Sequence, residues 1–436
     1  MAGIGSAQER LALSRLFHRF GFGPKPGEFE DALRNGFEAT KKRFLYIPNS
    51  NEINRDVVPL TIEDLGQRPT PGTFANTEYA LKIRSQIKEM TLWWLDQMVT
   101  TDYSLNEKMT WFWHGHWATS VEKLNFALPM YKQNLTFRRY ALGNFKEFSK
   151  AMYDDGALQF WLDGQENTAK APNENLSREF MELFTLGVGR YTEDDVKALA
   201  KVFTGIQVQR TNGTVALNAR RHDSSPVSLL GSTQIFTAQQ AIEMIVGRDD
   251  SSRFIYERLW YRFISSTEPL PATIDRSIFN SRDISKAVGD LVNSSFMTSM
   301  DYPMVKSPVE WFVATCRVLR ITPSESKNPA LLLSHLQKLS QIPFAPPNVG
   351  GWPAGEMWLT SASAQFRLAL TQTMFKNFDF KELASTPVSQ RITYLQNLLG
   401  VYQWSKRTED ALTVAKNEPE RLMLLALNSP EYVVGA

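Results

Sequence analysis

The sequence predicts a mainly α-helical protein, one large domain with a single small β-hairpin set into it. Three observations lead there. Apolar residues recur at helical spacing along most of the chain. Only Ile206 to Asn218 alternates apolar and polar residues about an Asn-Gly pair. No βαβ alternation, glycine-rich phosphate loop or tandem repeat interrupts the pattern.

In chain order, residues 7–20 predict an amphipathic helix with Leu11, Leu13, Leu16 and Phe17 on its apolar side. Two helical turns follow, and the Pro-, Asn- and Gly-rich stretch 47–77 predicts an irregular excursion. Helical patterns resume from Thr77 through Phe148. Between Pro172 and Gly205 two helices are expected. The first is capped by Asn173 or Asn175 and ended by Gly187 and Gly189; the second opens on Thr192 with Asp195 as a capping box and closes at Gly205. The hairpin 206–218 should turn on Asn212-Gly213, with a short strand near Ser228 to Gly231 and helices from there on. One of these, Lys306 to Leu319, carries the lone Cys316 as a buried small hydrophobe.

Composition limits the function. With 436 residues the chain can bury a large core, and 43% hydrophobic with 22% charged residues is ordinary for a globular protein. A formal net charge of +2 gives no reason to expect nucleic acid or an anionic membrane as partner. A single cysteine excludes an intrachain disulfide framework. No apolar run approaches the roughly 18 residues of a transmembrane helix, and the N-terminal stretch lacks the layout of a secretory signal.

The chemistry-bearing residues fall into a few groups. At about 100° per residue, Leu176, Phe180, Leu183 and Phe184 share one side of the first Pro172–Gly205 helix, while Asn175, Arg178, Glu179 and Glu182 share the other. Those four either converge on a ligand or form a solvated face with Arg178 and Glu182 paired. His114 and His116 are the strongest metal-like pair, because imidazole is a common ligand of divalent metals. On a continuous helix, however, positions i and i+2 point about 200° apart, so Gly115 would have to break the helix for both to share an ion. His222-Asp223 sits in a loop after the hairpin, where one residue is expected to point inward and the other to support the loop. Asn173, Glu174 and Asn175 add amides and an acid. Arg138, Arg139 and Asn144 are polar positions fit to anchor the central acids, and Trp352 with Trp358 can wall a cleft. No nucleophile motif is present.

Several of these segments resemble one bacterial family, catalogued as domain of unknown function 1800 (DUF1800). They are RLFHRFGFGP from Arg15, NEKMTWFWHGHWATS from Asn106, RRYALGNF from Arg138, NENLSREFMELFTLGVGRYTEDDV from Asn173, His222-Asp223, KSPVEW from Lys306 and PPNVGGWPAG from Pro346. The resemblance spans nearly the whole chain, 1–436 being read as one domain, and many relatives are exported, but it implies no established reaction. Val227 and Ser228 stand where the family pattern leads one to expect a lysine.

The expected function is an acid/base or metal-assisted enzyme, hydrolase-like, acting on a glycan or other extracellular polymer. Glu179, Glu182, His222, Asp223 and Arg178 would be catalytic. Asn173, Glu174, Asn175, Arg138 and Trp352 would bind substrate, and His114 and His116 would hold a divalent metal. The alternative is a non-catalytic carbohydrate- or peptide-binding or assembly protein whose polar cluster is structural.

Overall fold

The structure, a computed structural model, describes residues 6–274, 276–376 and 378–435. It is 60% helical, and its strands pair as three small two-stranded antiparallel sheets. Helix α1 (Ala7–Arg19) begins where Ser6 accepts the Glu9 N–H, and it buries Leu11, Leu13, Leu16 and Phe17. The 47–77 excursion contains one short helix, α2 (Ser50–Asp56), held by reciprocal capping between Asn49 and Glu52. At Phe74 the chain enters the 27-residue α3 (Phe74–Thr100).

The next helix, α4 (Ser104–His116), is buried along its whole length except at Ser104 and Gly115. It stands between two aromatic-rich cores. Met109, Phe112 and Trp113 belong to one, with Phe145, Phe148 and Phe184; Trp111 belongs to the other, with Trp94, Phe312 and Phe344. A helix buried all round must have partners for its polar side chains, since an unpaired buried charge is strongly unfavourable. Glu107 accepts from Trp94 Nε1 at 2.7 Å and from Arg138 at 2.6 Å. Lys108 forms an ion pair with Glu310, which also accepts from Arg262 at 2.8 Å.

Those contacts correct one expectation. Arg138 does not anchor the central acids; its buried guanidinium is committed to Glu107 and lies over the Trp93 ring. Arg139 covers Tyr140 instead, and Asn144 caps the helix Phe145–Tyr153.

The segment after Pro172 also winds differently from a plain α-helix. Helix α5 (Asn175–Glu179) passes into a π-helical turn over Phe180–Thr185, in which Leu186 N–H donates to Met181 C=O at 2.8 Å and Thr185 Oγ1 donates to Phe180 C=O at 2.6 Å. The cap is Glu174, without a side-chain bond, while Asn173 accepts the Asn175 N–H one step earlier. Leu183, expected on the buried side, is only partly buried. Gly187 and Gly189 adopt the left-handed region at φ 88° and 78°, and the Thr192–Asp195 capping box starts α6 (Glu193–Val202).

Strands β1 (Ile206–Gln209) and β2 (Thr214–Leu217) form the expected hairpin, with Gln209 opposite Thr214. The connection is therefore the four residues 210–213 rather than a two-residue Asn-Gly turn. Tertiary contacts select it. Arg210 donates to the Leu124 and Lys123 carbonyls and covers Phe160, and Gly213 is pressed so closely on Gly156 that a Cβ there would lie 2.1 Å from the Gly213 oxygen. The strand expected near Ser228 is half of a second hairpin, β3 (Val227–Leu229) and β4 (Ser232–Gln234). Two further helices matter below, α7 (Asp249–Phe263) and α8 (Pro308–Val318), the latter burying Cys316. Among the described residues no helix is long and apolar enough to cross a membrane.

Breaking the buried Glu107–Arg138 pair should lower stability more than removing it whole. Arg138→Met is expected to cost about 3 kcal/mol in chemical denaturation, and adding Glu107→Gln should recover most of that loss. Simple additivity of the two losses contradicts the pairing.

Candidate functional site

Helix α4 stays continuous through Gly115, so its two histidines diverge as helical geometry requires. His114 enters the second core among Trp94, Phe344 and Trp352, and its Nε2 accepts the Phe344 N–H at 3.0 Å. His116 enters the first core against Phe112 and Trp113, and its Nε2 lies 2.9 Å from the Phe184 carbonyl, to which it donates. The carbonyl it uses belongs to the π-helical turn. Burial lowers both rings to a pKa of about 3, with the Arg258 charge contributing at His116.

A metal does not fit this pair. In neutral His114 the Nε2 lone pair is taken by a backbone N–H and Nδ1 carries the proton, so no lone pair remains for an ion. His116 keeps a free lone pair on Nδ1, but its ring lies in the other core from that of His114. No group of three or more His, Cys, Asp or Glu side chains suited to a metal occurs among the described residues. The metal expectation for His114 and His116 is corrected accordingly.

The remaining sequence-derived residues fall into separate neighbourhoods. On the α5 face, Arg178 makes a two-pronged contact with Glu193 at 2.7 Å and a second bond to Glu174 at 3.1 Å, rather than pairing with Glu182. Glu182 accepts from Tyr191 Oη at 2.7 Å. Glu179 is half-buried, and desolvation followed by the nearby Glu182 charge raises its pKa. Asn173 and Asn175 are tied into the preceding turn, Asn173 N–H donating to Asn167. No hydrogen bond or ion pair joins Glu179 or Glu182 to His114, His116 or His222 among the described residues.

His222 and Asp223 divide their tasks. His222 Nδ1 donates to the Thr204 carbonyl at 2.9 Å, and the ring lines a cleft of about 510 Å³ between β2 and the segment around Phe236. Asp223 turns away to accept from Ser225 N–H, and bonds with Ser225 lower its pKa. A Cβ on Gly205 would meet His222 Cβ at 2.9 Å, so this glycine (φ 90°) lets the loop close.

A second cleft lies at the C-terminal end of α4. Its floor is Trp111, Gly115 and His116; α7 contributes Arg258, Tyr261 and Arg262; and the loop 350–354 contributes Trp352. Trp111 and Trp352 stack with centroids 5.0 Å apart. The loop reaches α4 because Gly351, at φ 80°, places its backbone where a Cβ would lie 2.3 Å from the Gly115 carbonyl oxygen. Trp358, expected in the same wall, is instead buried and donates to the Pro353 carbonyl at 3.1 Å. No carboxylate lines this cleft.

Arg258, Tyr261 and Arg262 were not singled out from sequence, where this segment reads as one helix among several. A signal was present: Arg258 has Phe254, Ile255, Tyr261 and Arg262 at its three- and four-residue positions, so no acid on its own helix can neutralise it.

Fold and site together define a mainly helical protein with an indole-walled, arginine-bearing cleft at the end of a fully buried helix. The chain belongs to the family described as Protein of unknown function (DUF1800), whose model matches residues 15–434. No curated protein matches it, and no solved structure does.

Two measurements check this geometry. Unfolded histidine titrates near 6.5, so between about pH 6.5 and about pH 3 the unfolded chain takes up protons that the buried rings refuse. The stabilisation is complete above about pH 6.5 and is lost as pH falls; His116→Phe should reduce the slope of stability between about pH 6 and about pH 4 by about 1.4 kcal/mol per pH unit. An unchanged slope contradicts a neutral His116. Separately, Gly351→Ala should cost about 2 kcal/mol or more, while Gly115→Ala, with nothing near its Cβ, stays within about 0.5 kcal/mol.

Proposed function

We propose that the protein binds one end of a polar, flat-faced ligand such as a sugar ring in the cleft at the end of α4, without acid–base chemistry there. The observation that carries this reading is the stacked Trp111–Trp352 wall in a cleft that no carboxylate lines. The one imidazole in the cleft, His116, is a weak base at a pKa of about 3 and serves better as a hydrogen-bond acceptor than as a proton-abstracting group. The cavity, about 60 Å³, holds the liquid volume of about two water molecules, so it suits a terminal group rather than a threaded polymer. This is the non-catalytic branch of the sequence-based expectation.

Trp352→Ala tests it. Calorimetric titration with neutral monosaccharides should show an affinity loss of about 10-fold or more, equivalent to about 1.4 kcal/mol, with the helical circular dichroism unchanged. Equal affinities before and after the substitution would remove the cleft from consideration.

A second reading has one observation in its favour, the raised pKa of Glu179 beside Glu182. Glu179 would then act as a proton donor in hydrolysis of a glycan or other extracellular polymer, with Glu182 as its ionised neighbour. A polymer-degrading activity abolished by Glu179→Gln and untouched by Trp352→Ala would favour that reading over the first.

A further inference from the structure

The groups lining the α4 cleft are short of partners. His116 Nδ1 and Trp352 Nε1 are both buried, and neither has a hydrogen-bond partner in the protein. With His116 Nε2 donating to Phe184, Nδ1 presents a bare lone pair, while the Trp352 indole N–H is an unused donor. Arg258 is the third. Its guanidinium lies over the Phe254 and Tyr261 rings at 6.0 and 5.6 Å, and among the described residues no acceptor is bonded to it and no carboxylate pairs with it.

The neighbouring charges already have partners. Arg262, one turn further along α7, bonds Glu310 at 2.8 Å and shares that carboxylate with Lys108. Glu257, adjacent in sequence, is engaged by Arg253 and Arg190. Arg258 is therefore the cation of this cleft with no acid bonded to it, and desolvation lowers its pKa. Buried polar groups are almost always paired, so two unpaired ones beside a half-buried arginine at a single opening call for an explanation.

The missing partners specify a ligand. It must bring one negative charge for Arg258, an acceptor for the Trp352 N–H and a donor for the His116 lone pair. A carboxylate with a hydroxyl nearby supplies all three. A phosphate dianion would want a second cation facing it, and the Arg262 guanidinium is already bonded to Glu310. The cavity is of the size such a group needs.

Building on the binding function proposed above, we propose that the α4 cleft selects a hydroxylated carboxylate, the acidic end of a sugar acid, and that Arg258 is the residue that reads its charge. The unused donors and acceptor at Trp352 and His116 orient the ligand around that contact.

The experiment compares wild type with Arg258→Met, using glucuronate, glucose and inorganic phosphate as calorimetric probes and thermal denaturation without ligand as a control. Wild type should bind glucuronate at least 10-fold more tightly than glucose and more tightly than phosphate, with the preference weakening as salt rises. Arg258→Met should abolish the preference for glucuronate over glucose, and its ligand-free melting temperature should equal or exceed that of wild type, because a cation without an acid partner has been removed. Equal binding of glucuronate and glucose overturns the charge-reading role while leaving the cleft as a neutral-sugar site. Tighter binding of phosphate overturns the carboxylate assignment. A marked drop in the variant's melting temperature makes Arg258 a structural residue and overturns the proposal, and failure of both sugars to bind overturns both it and the function on which it rests.

Discussion

The complete burial of α4 is the constraint on which the rest of the structure depends. A helix enclosed on nearly every side leaves little of its polar surface to water, so its charged side chains and imidazoles recruit partners from other parts of the chain. Glu107 brings in Trp94 and Arg138, and Lys108 brings in Glu310 of α8 and through it Arg262 of α7. His114 takes the Phe344 N–H, and His116 gives its proton to Phe184. Sequence segments separated by as many as 230 positions are tied together through one 13-residue helix.

The cleft follows from where that helix ends. Gly351 can approach the Gly115 carbonyl because it carries no side chain at the contact, where a Cβ would lie 2.3 Å from that oxygen. The 350–354 loop is thereby held over the last turn of α4, which stacks Trp352 on Trp111 and closes a small opening against α7. α7 is itself positioned by the loop after the π-helical turn: Arg190 donates to the Leu186 and Asp250 carbonyls and pairs with Glu257. The longest family-like motif therefore shapes the cleft from a distance, while its own acids, Glu179 and Glu182, line neither this opening nor the one beside His222.

Much of the helical framework was legible in the sequence because it is local. Capping residues such as Thr192 and Asp195, and glycines such as Gly187 and Gly189, act within a few positions of themselves. The divergence of His114 and His116 was legible for the same reason, as a consequence of helical pitch. Features set by tertiary contact were not. The π-helical turn at Phe180–Thr185 coincides with the carbonyl that receives His116, the 210–213 turn is chosen by Arg210 and Gly156, and Arg138 is drawn to Glu107 rather than to the central acids. The cleft itself combines three segments from distant parts of the chain, and its arginine lies on a helix that carries no recognisable site motif. Trp352 was the one cleft-wall residue whose type alone suggested its place.

Imidazole nitrogen NMR tests the central claim most directly, because it reports protonation and tautomer at each ring separately. At pH 5 the two rings should be neutral and opposite, His114 protonated at Nδ1 and His116 at Nε2, with neither signal moving on addition of zinc. Charged rings at that pH, matching tautomers, or zinc-dependent shifts at both histidines would contradict a helix whose two imidazoles are anchored separately in opposite cores.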